Sequence, residues 1–422
     1  MPPEPAPPEP APFDPAPFDP APPDLAPFDP GPFDPADPAF LDDPYPAFAE
    51  LRARGPVHGH PRLGMPVAVS HAACSAVLRG RDLGRIWVDA EPADEFAAFN
   101  LLHRNSLLER EGEPHARLRG LVAGVFQRGH TARLEPGVRA LADRLVADLA
   151  AGVRDAGSAD LMAGVAQVLP VEVIADLLGV PDAVRPALRG WSTAIVAMYE
   201  PTPRGAAQRA RAAETAAREF VAALRELAAH RRTRPGDDLV SDLVAAGSDA
   251  DELVGTAALL LMAGHEATVN VIGNGVLALL RHPDQWRRLR ADPGLGPTAV
   301  EELIRHDPPL QLFERTALRD TEVAGHPVPA GTKIAALLGA AAHDPEVVDD
   351  PTELDVGRTR NPHLGFGAGV HYCLGAPLAR VEIAAVLDGL RAHLPDMALA
   401  GEPERLPTFV MRGLRTLPVA AG

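Results

Sequence analysis

Cysteine occurs only twice in 422 residues, as Cys74 and Cys373, so the chain can build neither a disulfide framework nor a Cys-x-x-Cys metal site. Lysine is scarcer still. Lys333 is the single one among 40 basic residues, a bias that, with the excess of Ala, Pro and Gly, points to a GC-rich coding sequence and not to a function. Aromatic residues make up only 5% against 46% hydrophobic residues in all, so the core has to be packed with aliphatics, which suits helices. Positive charge is short by 17, which excludes the net basic face that a nucleic-acid partner needs. The chain opens with no basic region followed by an apolar one, so no signal peptide is expected. Its most apolar stretch, residues 253–280, carries His265, Glu266, Asn270 and Asn274, groups that are costly in lipid. A buried helix and no membrane association are therefore expected, in a reducing, cytoplasmic setting of bacterial type.

What is abundant is proline, and it is unevenly spread. Residues 1–38 hold 17 of the 46 prolines and eight acids but no Lys or Arg, and repeat Phe-Asp-Pro at Phe13, Phe18, Phe28 and Phe33. Proline at this density denies backbone hydrogen bonds to helix and sheet, so this segment is expected to be a disordered, unpacked tail. A docking peptide that uses the periodic Phe residues is the alternative. From residue 39 to 422 one large catalytic domain is expected, still acidic once the eight tail acids are removed from the total. Apolar residues at 3.6-residue spacing predict helices over Tyr45–Arg54, Pro114–Phe126, Arg133–Ala151, Leu161–Leu178, Arg204–Arg232 and Asp251–His282. Short β-like runs at 55–57, 65–69, 321–325 and 332–335 predict small sheets, giving a mainly α (α+β) fold class.

The segment Phe366-Gly367-Ala368-Gly369-Val370-His371-Tyr372-Cys373-Leu374-Gly375 places the second cysteine among closely spaced glycines just before a helix-forming run. Glycines let the backbone turn tightly and approach something flat, and a helix N-terminus beside the sulfur favours thiolate. A thiolate under a planar group suggests haem iron. Cys74 has no such surroundings and reads as a helix-core thiol.

The pattern Phe-Gly-x-Gly-x-His-x-Cys-x-Gly resembles the haem-binding loop of the cytochromes P450. The resemblance extends over essentially the whole chain from residue 38, and it implies that family's fold, with a long central helix over the haem. It implies haem b (iron protoporphyrin IX) as cofactor, Cys373 as the axial ligand of its metal, His371 on a propionate and Phe366 beside the sulfur, with Gly367, Gly369 and Gly375 shaping the loop. Ala263-Gly264-His265-Glu266-Ala267-Thr268 resembles the family's oxygen-binding segment, usually Ala-Gly-x-acid-Thr-Thr. There Ala263 and Gly264 would leave room above the haem and Glu266 would relay protons, but Ala267 stands where the family usually has the threonine that serves dioxygen. Thr268, an ordered water, or a hydroxyl of the substrate would have to replace it. Glu302-Leu303-Ile304-Arg305 resembles the Glu-x-x-Arg signature, a structural pair that retains haem. His115, Arg119 and Arg315 coincide with positions that contact propionates. Possible pocket walls are Ile86, Trp87, Phe313 and Phe409.

The activity implied is that of a monooxygenase that uses O2 and electrons from NAD(P)H, passed through a ferredoxin and its reductase. It would hydroxylate or epoxidise an apolar small molecule such as a secondary metabolite, acting as a monomer. Oxidative cyclisation or carbon–carbon coupling is the alternative that Ala267 favours, and a non-catalytic haem-thiolate sensor is a third.

Overall fold

A computed structural model describes residues 33–126, 128–201 and 205–422; the repeats at Phe13, Phe18 and Phe28, and with them the expected disorder of residues 1–32, lie outside the described residues. The architecture is organised around one long helix, Ala250–Arg281. Its start is fixed by Asp249, whose carboxylate accepts from the amides of Asp251 (2.9 Å) and Glu252 (3.3 Å) and satisfies two otherwise orphaned donors. Asp251 and Glu252 in the first turn and Arg281 in the last match the helix dipole. Apolar on nearly every face, this helix is buried among helices Ala97–Arg104, Leu169–Leu178, Ala206–Thr233, Gly296–His306 and Ala376–His393. Among the described residues no helix is long and apolar enough to cross a membrane.

A five-stranded sheet lies to one side, in the order Val57–His60, Met65–Ala68, Lys333–Leu337, Leu312–Ala317 and Leu83–Gly84. Its single parallel pairing, Val67 opposite Ala335, joins the amino-terminal hairpin to strand Lys333–Leu337. The expected helix over 161–178 divides into a π turn, Met162–Ala166, and an α-helix, Leu169–Leu178. Pro170 supplies no amide hydrogen, so it is accommodated in the first turn of a new helix and not in the middle of a long one.

The packed chain also begins earlier than the expected boundary at residue 39. Phe33 is fully buried against Phe40, Phe48, His60 and Phe409, and Pro35 is buried beside it. Nearby, buried Asp307 ties the two ends of the domain together. It accepts from Arg412 Nε (2.7 Å) and from the Tyr45 hydroxyl, with Arg405 at 3.4 Å. Burial pushes its carboxyl up, but the Arg412 and Arg405 charges and the Tyr45 hydroxyl outweigh burial and hold its pKa at about 2. A carboxyl depressed below its unfolded value of about 3.9 adds stability above that pH and loses it as pH falls through the folded value. Asp307→Asn should therefore be less stable than the parent at pH 7, with the gap narrowing between pH 4 and pH 2 in acid titrations followed by circular dichroism.

Candidate active site

The cysteine loop is shaped by two glycines in left-handed conformation, Gly367 (φ 70°) and Gly369 (φ 72°). At Gly369 a Cβ would lie 2.5 Å from the Leu78 carbonyl oxygen, so the loop can pass helix His71–Arg79 only without a side chain there. The Cys373 amide donates to the Phe366 carbonyl at 3.0 Å, which closes the loop beneath the sulfur. Phe366 is held in turn by the Arg380 guanidinium, 4.4 Å from its ring centre and itself paired with Glu301 at 2.9 Å. Helix Ala376–His393 begins three residues after the cysteine, and the amides of Gly375 and Ala376 face the thiol. Burial nevertheless raises the thiol's pKa against those amides and the charges of Arg119 and Arg380, contrary to the expected thiolate preference. A metal cation at the sulfur would reverse that balance, because a coordinating thiol is deprotonated outright. Cys74 is fully buried, its pKa pushed up to about 12 by desolvation, and it donates to backbone carbonyls: an inert core thiol, as expected.

Cys373 opens into a cavity that also presents Phe366, Gly367, Gly375 and His371, with Ala263, Gly264, Ala267 and Thr268 of the long helix in its wall. The cavity holds about 260 Å³ and is walled mainly by apolar side chains. Glu266, by contrast, is not in the wall. Its carboxylate accepts from Ser192 Oγ (2.9 Å) and Thr193 Oγ1 (3.2 Å) on the overlying helix Arg185–Val196, with His265 Nε2 at 3.4 Å. Burial raises its pKa, but these neighbours outweigh burial and leave it lowered, so it is an ionised group tying two helices together.

Two arginines and two histidines meet at one edge of the cavity. Arg119, Arg315 and His371 line it, and the His115 ring packs at a tilt against His371 with ring centres 4.4 Å apart. Their buried polar atoms are short of protein partners. Burial and the neighbouring Arg85 lower Arg315 to a pKa of about 10, its Nη1 reaching only the Glu314 carbonyl, and burial beside His371 lowers His115 to about 4. His115 Nε2 and His371 Nδ1 are buried without a protein partner. A ligand with two carboxylates would satisfy this edge, since buried polar groups need partners. Sequence reasoning missed two participants. Glu111 takes His371 Nε2 at 2.7 Å, where a propionate alone was expected, and the Arg85 amide at 2.6 Å, while the Arg85 guanidinium pairs with Glu109 and lies 5.0 Å from the Phe313 ring centre. Neither belongs to a recognisable motif; only the position of Glu111 four residues before His115 could have flagged it.

Of the expected pocket walls, Phe313 lines the cavity together with Leu107, Leu260 and Leu310. Trp87 instead stacks on His103, and Phe409 belongs to the Phe33 cluster. Glu382 is an unexpected member of the wall, its carboxyl driven to a pKa of about 8 by desolvation. A second unexpected acid is Glu200, which accepts from the amides of Phe409 (2.7 Å), Val410 (3.2 Å) and Met411 (3.2 Å) and so fastens the loop whose Met411 bridges Leu310.

Among the described residues no group of three or more His, Cys, Asp or Glu could hold a metal ion. One soft sulfur donor, an apolar cavity and an edge of arginines and histidines with unpartnered nitrogens fit an iron porphyrin, which brings four of its metal's ligands with it.

Comparison with known proteins agrees. A family model described as Cytochrome P450 matches residues 297–390. The chain is 38% identical to the cytochrome P450 monooxygenase PikC of Streptomyces venezuelae, over 90% of this chain and 91% of that one. It is 36% identical to the vitamin D(3) 25-hydroxylase of Pseudonocardia autotrophica, over 91% and 95% of the two chains. Among solved structures, P450BioI in complex with an acyl carrier protein ligated to hexadec-9Z-enoic acid superposes with a TM-score of 0.86 at 31% identity, covering 90% of this chain and 99% of that one.

Proposed function

The chain belongs to the cytochrome P450 family and is a haem b monooxygenase of that family, and from this premise we propose that it hydroxylates an apolar small molecule with Thr268 in the place of the family's usual threonine. The observation that carries this reading is the wall opposite the cysteine. Around Ala267 it is built of Leu, Ile, Phe and Ala side chains, and Thr268 contributes the hydroxyl there. Haem b, when bound to Cys373, supplies oxygen activation and the oxidising equivalent.

The protein's own contributions then follow from its residues. Arg119, Arg315 and the His115–His371 pair would hold the two propionates and orient the macrocycle. Ala263 would keep the long helix clear of the reacting position, Gly264 makes room for Ile174, which a Cβ there would meet at 3.0 Å, and the apolar walls exclude bulk water. Thr268 Oγ1 would hold a proton at the substrate side. Glu266, two positions away and turned to Ser192 and Thr193, would replenish it through intervening water and not by direct contact. The apolar ligands named for the vitamin D(3) 25-hydroxylase and for P450BioI support an apolar substrate, such as a sterol-like or acyl secondary metabolite. Electrons would come from NAD(P)H through a ferredoxin and its reductase. Val370 and Tyr372, exposed on the cysteine loop, support a docking face there.

A ligand spin-shift screen of sterols and fatty acids supplies a substrate for the test. With it, Thr268→Ala should lower product formed per reduced nicotinamide consumed by about tenfold or more, with substrate affinity within about twofold of the parent. Unchanged coupling in Thr268→Ala would remove the role from Thr268. The second reading, a substrate hydroxyl that completes the relay, rests on Ala267 itself. Under it Ala267→Thr would lower productive binding by crowding that hydroxyl, whereas under the first reading it leaves or raises coupling.

A further inference from the structure

The buried segment at the amino-terminal edge is one copy of a repeat. Residues 32–36 read Pro-Phe-Asp-Pro-Ala, residues 12–16 and 17–21 are identical to them, and residues 27–31 differ only in a final Gly. Phe33, Asp34 and Pro35 are each packed or paired where the segment docks. The Phe33 ring lies 4.3 Å from His60, 4.9 Å from Phe40 and 5.3 Å from Phe409, centre to centre. Asp34 pairs with Arg62 and accepts from the Ala36 amide at 3.0 Å, which sets the turn, and Pro35 is buried.

The backbone is read as well. The Leu63 amide donates to His60 Nδ1 at 3.1 Å, which places the imidazole proton on Nε2, and Nε2 donates to the Phe33 carbonyl at 3.1 Å. A tail that merely trailed over the surface would need none of this. Ring, acid and carbonyl each have a dedicated partner and the proline is buried, an environment that would serve any copy of the pentapeptide.

We propose that the cleft between the His60 hairpin and the Phe409 loop is a binding site for the Pro-Phe-Asp-Pro motif, filled by Phe33 and able to be refilled by the upstream copies of the same chain. Closure of the intervening segment opposes the exchange only weakly. Phe33 stands 7 residues before Phe40, Phe28 stands 12 before it and Phe13 stands 27 before it, so the entropic penalty is about twofold for Phe28 and roughly eightfold for Phe13. The site bears on catalysis through Phe409. Its ring touches Phe33 while its amide is held by Glu200, and the same loop reaches Leu310 in the cavity wall.

Full-length variants test this without truncation. Phe13→Ala/Phe18→Ala/Phe28→Ala should match the parent in Tm. Phe33→Ala should lose a modest amount, and the quadruple variant should lose about twice as much or more, because only then is no aromatic copy left to refill the site. The synthetic peptide acetyl-Pro-Phe-Asp-Pro-Ala-amide should raise the Tm of the quadruple variant in a dose-dependent way and leave the parent unmoved. Equal losses in Phe33→Ala and the quadruple variant would overturn the proposal. So would failure of Phe33→Ala to fold, since the spare copies would then not have filled the site. A Phe33→Ala stability that rises with protein concentration, with dimers in sedimentation, would overturn the intramolecular reading in favour of exchange between two copies of the chain.

Discussion

Cys373→Ala should abolish substrate oxidation, by at least about 10³-fold, the scale on which removing a single group that polarises the reacting atoms is felt, while the chain still folds. The two halves of that expectation have different causes. The sulfur faces a cavity and contributes little packing, and the loop around it is held by other means: the two left-handed glycines, the Cys373 amide on the Phe366 carbonyl, and the Arg380–Glu301 pair behind Phe366. A Cβ without sulfur satisfies all of these. The chemistry would depend on the sulfur, the soft donor that Cys373 would offer to the iron of haem b. Cys74→Ala is the control. Its thiol is buried between the Ala68 and Leu337 carbonyls, away from the cavity, so turnover should be unaffected. Product formation and far-UV circular dichroism on both variants measure the two effects separately.

Loss of the folded haem-binding domain, not loss of chemistry, is expected from Glu302→Gln and Arg305→Ala. The two residues are fully buried on helix Gly296–His306 and form a two-point pair, Nε to Oε2 and Nη2 to Oε1 at 2.8 Å each. Each is also the hub of a loop. Glu302 accepts from the Asp355 amide (2.9 Å), Asn361 Nδ2 (3.0 Å) and Arg358 Nε (3.1 Å), while Arg305 donates to the carbonyls of Pro351 (2.7 Å), Ala342 (3.0 Å) and Glu353 (3.0 Å). Residues 351–361 lead directly into the cysteine loop. Glu302→Gln leaves Arg305 as a buried charge without its carboxylate, a cost of about 3–5 kcal/mol, Arg305→Ala leaves Glu302 to Arg358 alone, and either frees the segment that sets the position of Cys373. Arg305→Ala should be the more severe, because three carbonyls lose their donor as well. Purified yield, haem-to-protein ratio and urea unfolding would check this; normal haem content in either variant would contradict it.

The site was legible from sequence where chemistry forces a local pattern. Glycines at 367 and 369 are demanded by backbone conformation, and their spacing to the cysteine survives in one contiguous decapeptide. The helix Tyr45–Arg54 and the long helix were legible for a similar reason, since periodicity and capping are local. What escaped was set by contacts across the chain. Glu111 meets His371 over 260 positions and Glu200 meets Phe409 over 209, and neither distance leaves a trace in neighbouring residues. Glu266 illustrates the limit from the other side: the motif marks the residue, while Ser192 and Thr193 on another helix decide where its carboxylate rests. Proline density in residues 1–38 pointed to an unpacked tail, yet the same Phe-Asp-Pro chemistry let Phe33 and Pro35 enter the core once His60 and Phe409 were in place.

The absorption spectrum of the purified protein, reduced and saturated with carbon monoxide, tests the central assignment most directly. Cys373 as thiolate ligand predicts the strongly red-shifted Soret band of a haem-thiolate, present in the parent and in Cys74→Ala and lost in Cys373→Ala. A parent protein whose band lies at the position of an imidazole- or thiol-ligated haem, or that binds no haem, would contradict it.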